Sequence, residues 1–149
     1  MTKIAAESRF AICTATFYRD LADRLIAGAR TEFEEAGVAE ERIEAFEVPG
    51  AFELAPAARL CAASGRFAGV VCLGAVIRGE TSHYDHVCTE TAAGVMRVQL
   101  DTGVPCSFGL VTCEDMEQAL ERTGGGKRDQ GRDAARAVVS LVQLQEELR

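Results

Sequence analysis

The chain has no run of about 18 uninterrupted apolar residues, so nothing in it reads as a membrane span. Its opening segment, MTKIAAESRF, has no apolar stretch of signal-peptide length. Basic residues are neither abundant nor clustered. The first 75 residues carry 8 basic and 11 acidic side chains, and the remainder carry 8 and 12. The resulting net charge of −7 is spread evenly, leaving no face that could neutralise a row of phosphates, which disfavours nucleic acid as a partner. No CxxC pair occurs. The six cysteines, Cys13, Cys61, Cys72, Cys88, Cys106 and Cys113, sit mostly in apolar runs such as GVVCLGAV and read as buried free thiols, as expected of reducing cytosol. No GxGxxG follows the first strand. The GGGKR run fails as a phosphate loop, because glycine is needed at position 121 and serine or threonine at 128, where the chain has Glu121 and Arg128. Histidine is scarce, with only His83 and His86.

What remains is an ordinary globular composition, 48% hydrophobic and 26% charged, over 149 residues. That length predicts one domain, 1–149. Strand and helix patterns alternate. Residues 8–16, 42–48, 68–77 and 105–112 read as strands, and the wholly apolar AGVVCLGAVI has the character of a central parallel strand covered on both faces. Residues 18–36 space Leu21, Leu25, Ala29 and Phe33 at helical intervals. Residues 52–63 and 82–100 are helical, and 114–122 form a short helix. Residues 123–128, TGGGKR, read as a flexible hinge. Residues 131–148 form a last helix with Ala134, Ala135, Val138, Leu141, Val142 and Leu148 on its apolar side. This order predicts a layered α/β sandwich with a parallel sheet, whose site gathers at the carboxyl ends of the strands. The loops at 16–18, 49–53, 78–83 and 112–115 are the ones placed there.

Two segments and two single residues carry chemistry. In GAVIRGETSHYDH (74–86) a buried strand ends and a helix begins, with Thr81 or Ser82 available as cap and free N–H groups forming an anion seat. His83 lies in the first turn and could exchange protons; an idle exposed histidine and a His83/His86 metal pair are the alternatives. In VPGAFE (48–53), Gly50 permits close backbone approach, and Glu53 is either a binding group or an ordinary dipole-matched carboxylate. Phe17 is either a stacking face for a planar ring or a core aromatic. Arg122, at a helix end, could grip a phosphate or simply complement the dipole.

The segments FYRDLADRLIAGA, VPGAFELAPAA, LGAVIRGETSHYDHV and FGLVTCEDMEQALERTG, followed by GxDAARAVVSL, resemble the 6,7-dimethyl-8-ribityllumazine synthase family from about residue 9 to residue 144. The resemblance implies a flavodoxin-like three-layer α/β/α sandwich on a four-stranded parallel sheet. It implies a cofactor-free, metal-free transferase of riboflavin biosynthesis that joins 5-amino-6-(D-ribitylamino)uracil to 3,4-dihydroxy-2-butanone 4-phosphate, releasing phosphate and water. It further implies homopentamers, in many members closed into an icosahedral shell of sixty subunits, with each site between adjacent subunits and riboflavin synthase as a candidate partner.

By the same resemblance Phe17 stacks on the pyrimidine, and Ala51, Phe52 and Glu53 hold the ribityl chain and ring edge above Ala75, Val76 and Ile77. Glu80 and Thr81 seat the phosphate, and His83 carries the proton. Phe108 and Arg122 come from the adjacent subunit, to cover the ring and grip the phosphate. Two positions depart from the family's usual pattern: Tyr18 stands where asparagine is usual, and Gln130 where lysine is usual. The second departure raises an alternative reading, a riboflavin- or lumazine-binding assembly with little synthase activity.

Overall fold

The computed structural model describes residues 4–149. The domain expected over 1–149 and the opening segment read above both begin on residues 1–3, which lie outside the described residues. Strands β1 (Phe10–Ala15), β2 (Ile43–Val48), β3 (Gly69–Ile77) and β4 (Cys106–Cys113) form one wholly parallel sheet in the order β2-β1-β3-β4. Between and after them run helices α1 (Arg19–Glu35), α2 (Leu54–Ala63), α3 (His83–Thr102), α4 (Met116–Arg122) and α5 (Gln130–Glu147). Helices α1 and α5 cover one face of the sheet, and α2 and α3 cover the other. This is the three-layer, flavodoxin-like sandwich.

Side chains alternate across a strand, and the two cores divide the central strands accordingly. Phe10 and Ile12 of β1, with Val71 and Leu73 of β3, enter the α1/α5 core. Ala11, Cys13 and Ala15, with Val70 and Cys72, enter the α2/α3 core. Leu21, Leu25, Ala29 and Phe33 bury one stripe of α1 as their spacing predicts, and the Phe33 ring meets Phe10 with centroids 4.9 Å apart. Helix α5 lies so close to α1 that a Cβ on Gly131 would overlap the Leu25 carbonyl, so only glycine fits there. All six thiols are free, and only Cys88 is half-buried rather than buried. Cys13 and Cys61 place their Sγ atoms 3.7 Å apart. Their hydrogen bond, then burial, pushes the Cys13 thiol up, while the same bond pulls Cys61 down.

The two sheet edges differ. On β2, Glu44 is paired with Arg66 and Arg9, and Glu47 with Arg19 at 2.6 Å. Arg66 and Arg19 hold these carboxyls below their ordinary range. On β4, Phe108 is 39% exposed and shares a groove of about 320 Å³ with Met96, Gln130 and Leu141.

Three expectations need correction. The TGGGKR segment is a tied turn rather than a flexible hinge. Thr123 bridges Asp129, the Gly124 N–H reaches the Arg128 carbonyl at 3.0 Å, and the Lys127 N–H reaches that of Glu121 at 3.0 Å. Arg24 of α1 adds donors to the Thr123 hydroxyl at 2.9 Å and the Leu120 carbonyl at 3.0 Å. Leu141 and Leu148 are 39% and 78% exposed, whereas Gly131 and Val139 are buried in the α5 contact. The short helix starts at Met116, not 114, because the Asp115 carboxylate accepts the Gln118 N–H at 2.9 Å and so becomes its cap.

Candidate active site

The carboxyl ends of β1, β2 and β3 open into a cleft of about 670 Å³. After β1 the chain turns at Thr16, whose N–H and hydroxyl both reach the Val48 carbonyl, at 3.0 and 3.4 Å. This tie leaves Phe17 on the cleft lip, 75% exposed, so it is not a core aromatic. After β2, extended Gly50 leads into a single 3-10 turn, Ala51–Glu53. The Glu53 Oε1 atom accepts the Gly50 N–H at 2.9 Å and locks that turn. The Ala51 carbonyl accepts the buried Thr91 hydroxyl of α3 at 3.2 Å, which fixes the turn to the helix behind it. Phe52 consequently stands out, 60% exposed, on the same cleft.

At the end of β3, Ala75, Val76 and Ile77 are half-buried and form the floor. The chain then crosses Gly79 and Glu80 into α3. Ser82 precedes the helix but makes no side-chain cap bond, and the Thr81 hydroxyl, one residue earlier, accepts the His83 N–H at 3.3 Å. The N–H groups of Glu80, Thr81 and Ser82 find no acceptor among the described residues. They stand at the positive end of the helix dipole, where an anion is favoured. His83 lines the cleft beside them. Thr81 lines it too, whereas Glu80 is exposed on the turn outside.

Arg78, which the sequence places beside this seat, is engaged elsewhere. It stacks on the Tyr84 ring at 4.3 Å and pairs with Asp85 at 3.3 Å and Glu114 at 3.0 Å. The 112–115 loop thus contributes Glu114 to a clasp on Arg78 and does not line the cleft. Burial raises the Tyr84 phenol and the Cys88 thiol next to it. His83 and His86 share the cleft, but among the described residues no group of three His, Cys, Asp or Glu could hold a metal.

Besides Glu80, two expected site residues lie away from this cleft. Phe108 is on the β4 groove described above. Arg122 ends α4 in a separate depression of about 620 Å³ with Lys127, Arg128, Arg132 and Arg136. There Arg128 pairs with Asp133 at 3.1 Å, Arg132 with Glu32 and Glu35, and Arg136 with Glu32 at 3.1 Å. Arg122 donates to the Gln118 carbonyl at 3.1 Å. Tyr84, which sequence reasoning did not single out, lines the main cleft, as do Tyr18 and His86, which it noted without giving them a substrate contact. Tyr84 adjoins His83, which is the only signal the sequence carries for it.

Residues 7–146 match the family described as 6,7-dimethyl-8-ribityllumazine synthase. A protein of Desulfatibacillum aliphaticivorans named 6,7-dimethyl-8-ribityllumazine synthase is 41% identical over 148 residues, 99% of this chain and 96% of its own length. The chain belongs to the 6,7-dimethyl-8-ribityllumazine synthase family. The Arabidopsis thaliana protein named 6,7-dimethyl-8-ribityllumazine synthase, chloroplastic, is 44% identical over 136 residues, which are 91% of this chain and 60% of that longer protein. No helix of the described residues is long and apolar enough to cross a membrane.

The two positions noted in the sequence as departures, Tyr18 and Gln130, occupy helix starts. Tyr18 is the residue preceding α1, where it makes no side-chain cap bond. Gln130 is the first residue of α5, behind the cap that Asp129 provides by accepting the Arg132 N–H at 3.0 Å.

Proposed function

We infer that the chain condenses 5-amino-6-(D-ribitylamino)uracil with 3,4-dihydroxy-2-butanone 4-phosphate to give 6,7-dimethyl-8-ribityllumazine, phosphate and water, at sites completed by a neighbouring subunit. Family membership carries the reaction. One observation carries the residue roles: Phe17, Phe52, Glu53, Thr81 and His83, from three different strand ends, meet in a single cleft.

Phe17 offers its exposed ring to the pyrimidine, and the 51–53 turn presents short, fixed backbone groups to the ribityl chain and ring edge. Ala75, Val76 and Ile77 lie beneath. The Glu80 and Thr81 N–H groups seat the phosphate at the start of α3, and His83 moves the proton. The amine adds to the ketone and water leaves. Loss of the C3 proton and of phosphate from C4 leaves an enol that tautomerises to a new ketone, and the second nitrogen closes on that carbonyl, expelling water again. Both partners are already reactive, so holding them together supplies much of the acceleration, and one proton carrier adds on the order of 10²–10⁴. A phosphate that departs as an anion calls for N–H donors and an arginine.

Phe108 and Arg122 serve the neighbour's cleft. The open lip, with Phe17 and Phe52 largely exposed, favours a cover from outside the chain, and Phe108 sits on an exposed apolar groove of the kind subunit contacts bury. The assembly is a homopentamer, with closure into a sixty-subunit shell open to it, and its compartment is reducing cytosol.

Purified protein given both substrates is expected to form the lumazine chromophore. His83→Ala should slow turnover, and Arg122→Ala should chiefly raise KM for the phosphate substrate. Folded protein that makes no product above the uncatalysed rate would overturn the reading, and tight lumazine binding without turnover would replace it with the ligand-holding alternative. Light scattering reads pentamer against shell.

A further inference from the structure

We propose that Tyr18 is a positioning residue that fixes the Phe17 ring as a stacking platform; the proposal rests on reading Phe17 as the ring that meets the pyrimidine. Phe17 stands on the short connection between β1 and α1 and is 75% exposed. An exposed phenyl on a loop samples several rotamers, and a ligand that stacks on it must bear the cost of immobilising it. Here one neighbour removes that freedom. The Tyr18 ring meets Phe17 edge to face, with centroids 4.9 Å apart and planes at 77°. That is a favoured geometry for an aromatic pair, and it leaves most of Phe17 open.

Tyr18 is itself held. It is half-buried and packs against the α1/α5 core, while its backbone forms the start of α1, with the Ala22 N–H on its carbonyl at 2.9 Å. One ring therefore links the rigid core to the exposed ring, and both line the cleft. The position is a poor one for tyrosine on local grounds. A residue before a helix normally caps it with a short side-chain oxygen, and Tyr18 makes no such bond. The chain gives up a cap at this point and gains a buttress for the most exposed aromatic ring of the cleft.

The test uses the full chain, with each substrate varied in turn and thermal unfolding measured on every variant. Tyr18→Leu keeps apolar packing without a ring, Tyr18→Asn returns a cap without a ring, and Tyr18→Phe keeps the ring without the hydroxyl. Both ringless variants are expected to raise KM for the ribitylaminouracil about two- to tenfold. KM for the butanone phosphate and kcat at saturation should stay at wild-type values, and Tyr18→Phe should restore the first KM. Phe17→Leu is run in parallel. If it raises the pyrimidine KM while Tyr18→Leu and Tyr18→Asn do not, the buttress is refuted. If both KM values rise while kcat and melting temperature fall together, Tyr18 is only a packing residue and the proposal is likewise refuted. If Phe17→Leu itself leaves the pyrimidine KM unchanged, the stacking role of Phe17 fails, and the proposal falls with it.

Discussion

Two variants, each broken in a different part of the site, should rescue one another when mixed. Phe17 and His83 lie in the main cleft, whereas Arg122 lies in a separate depression on the same chain. If Arg122 serves a neighbour, a functional site needs an intact cleft from one subunit and an intact Arg122 from the next. One parent carries Phe17→Ala with His83→Ala, and the other carries Arg122→Ala. Removing a charge partner from a desolvated phosphate contact costs about 2–5 kcal/mol, or roughly 30-fold or more in rate below saturation, so both parents start near background. In a ring where each subunit presents one face to one neighbour, random mixing in equal parts leaves about one quarter of sites with both halves intact. The expected rate is therefore about one quarter of wild type, from two parents that show almost none, and it declines symmetrically as the ratio departs from equality. The parents are unfolded together, refolded, and assayed with subsaturating phosphate substrate, while native mass spectrometry verifies mixed rings. Mixed rings whose rate never exceeds the weighted mean of the parents would refute shared sites and return Arg122 to a plain helix-end role.

Three further outcomes follow from particular contacts. Gln130→Lys should lower KM for the phosphate substrate about two- to fivefold, as an exposed charge contact allows. It should also cost about 0.3–1 kcal/mol of stability, because a cation in the first turn of α5 opposes the helix dipole; steady-state kinetics and urea unfolding read the two effects. Gly131→Ala forces a Cβ into the Leu25 carbonyl and should destabilise by about 1–3 kcal/mol, and an unchanged urea midpoint would refute that packing. Glu44, held below its ordinary range by Arg66 and Arg9, stabilises the fold at pH values above the unfolded carboxylate range. That contribution is lost as pH falls through the folded value. Glu44→Gln should therefore be less stable than wild type near neutrality and indistinguishable from it in acid, with the difference at neutral pH reduced by salt.

The fold was legible because its determinants are local and periodic. Leu21, Leu25, Ala29 and Phe33 specify the buried stripe of α1 through spacing alone, and GVVCLGAVI announces a strand covered on both faces. The main cleft was legible for a related reason: its residues cluster at strand ends, where short segments carry both the turn and the chemistry. The misreadings fall where distant partners decide. Nothing in TGGGKR tells that Arg24, some hundred positions earlier, clamps it shut, because glycine content reports backbone freedom and not the hydrogen bonds that remove it. Leu141 and Leu148 obey helical spacing but stay exposed, since periodicity marks an apolar face without saying whether its cover comes from within the chain. Neither Thr81 nor Ser82 makes a cap bond, and only Thr81 reaches a helix N–H, a distinction that two adjacent hydroxyl residues leave undetermined.

The asymmetry of the sheet edges bears on how the chain behaves when crowded. A strand arriving at β2 would have to strip water from Glu44 and Glu47 and disturb their arginine partners, so sheet extension on that side is opposed by charge at neutral pH. The β4 side carries an aromatic ring and a shallow apolar trough instead. The two edges thus differ in character, one guarded by charge and the other apolar, so a head-to-tail strand addition that would string copies into a fibre meets a charge penalty on one side. Because their arginine partners hold Glu44 and Glu47 below the ordinary carboxylate range, these charges persist to lower pH than unpaired carboxylates would, and the arginines keep theirs throughout.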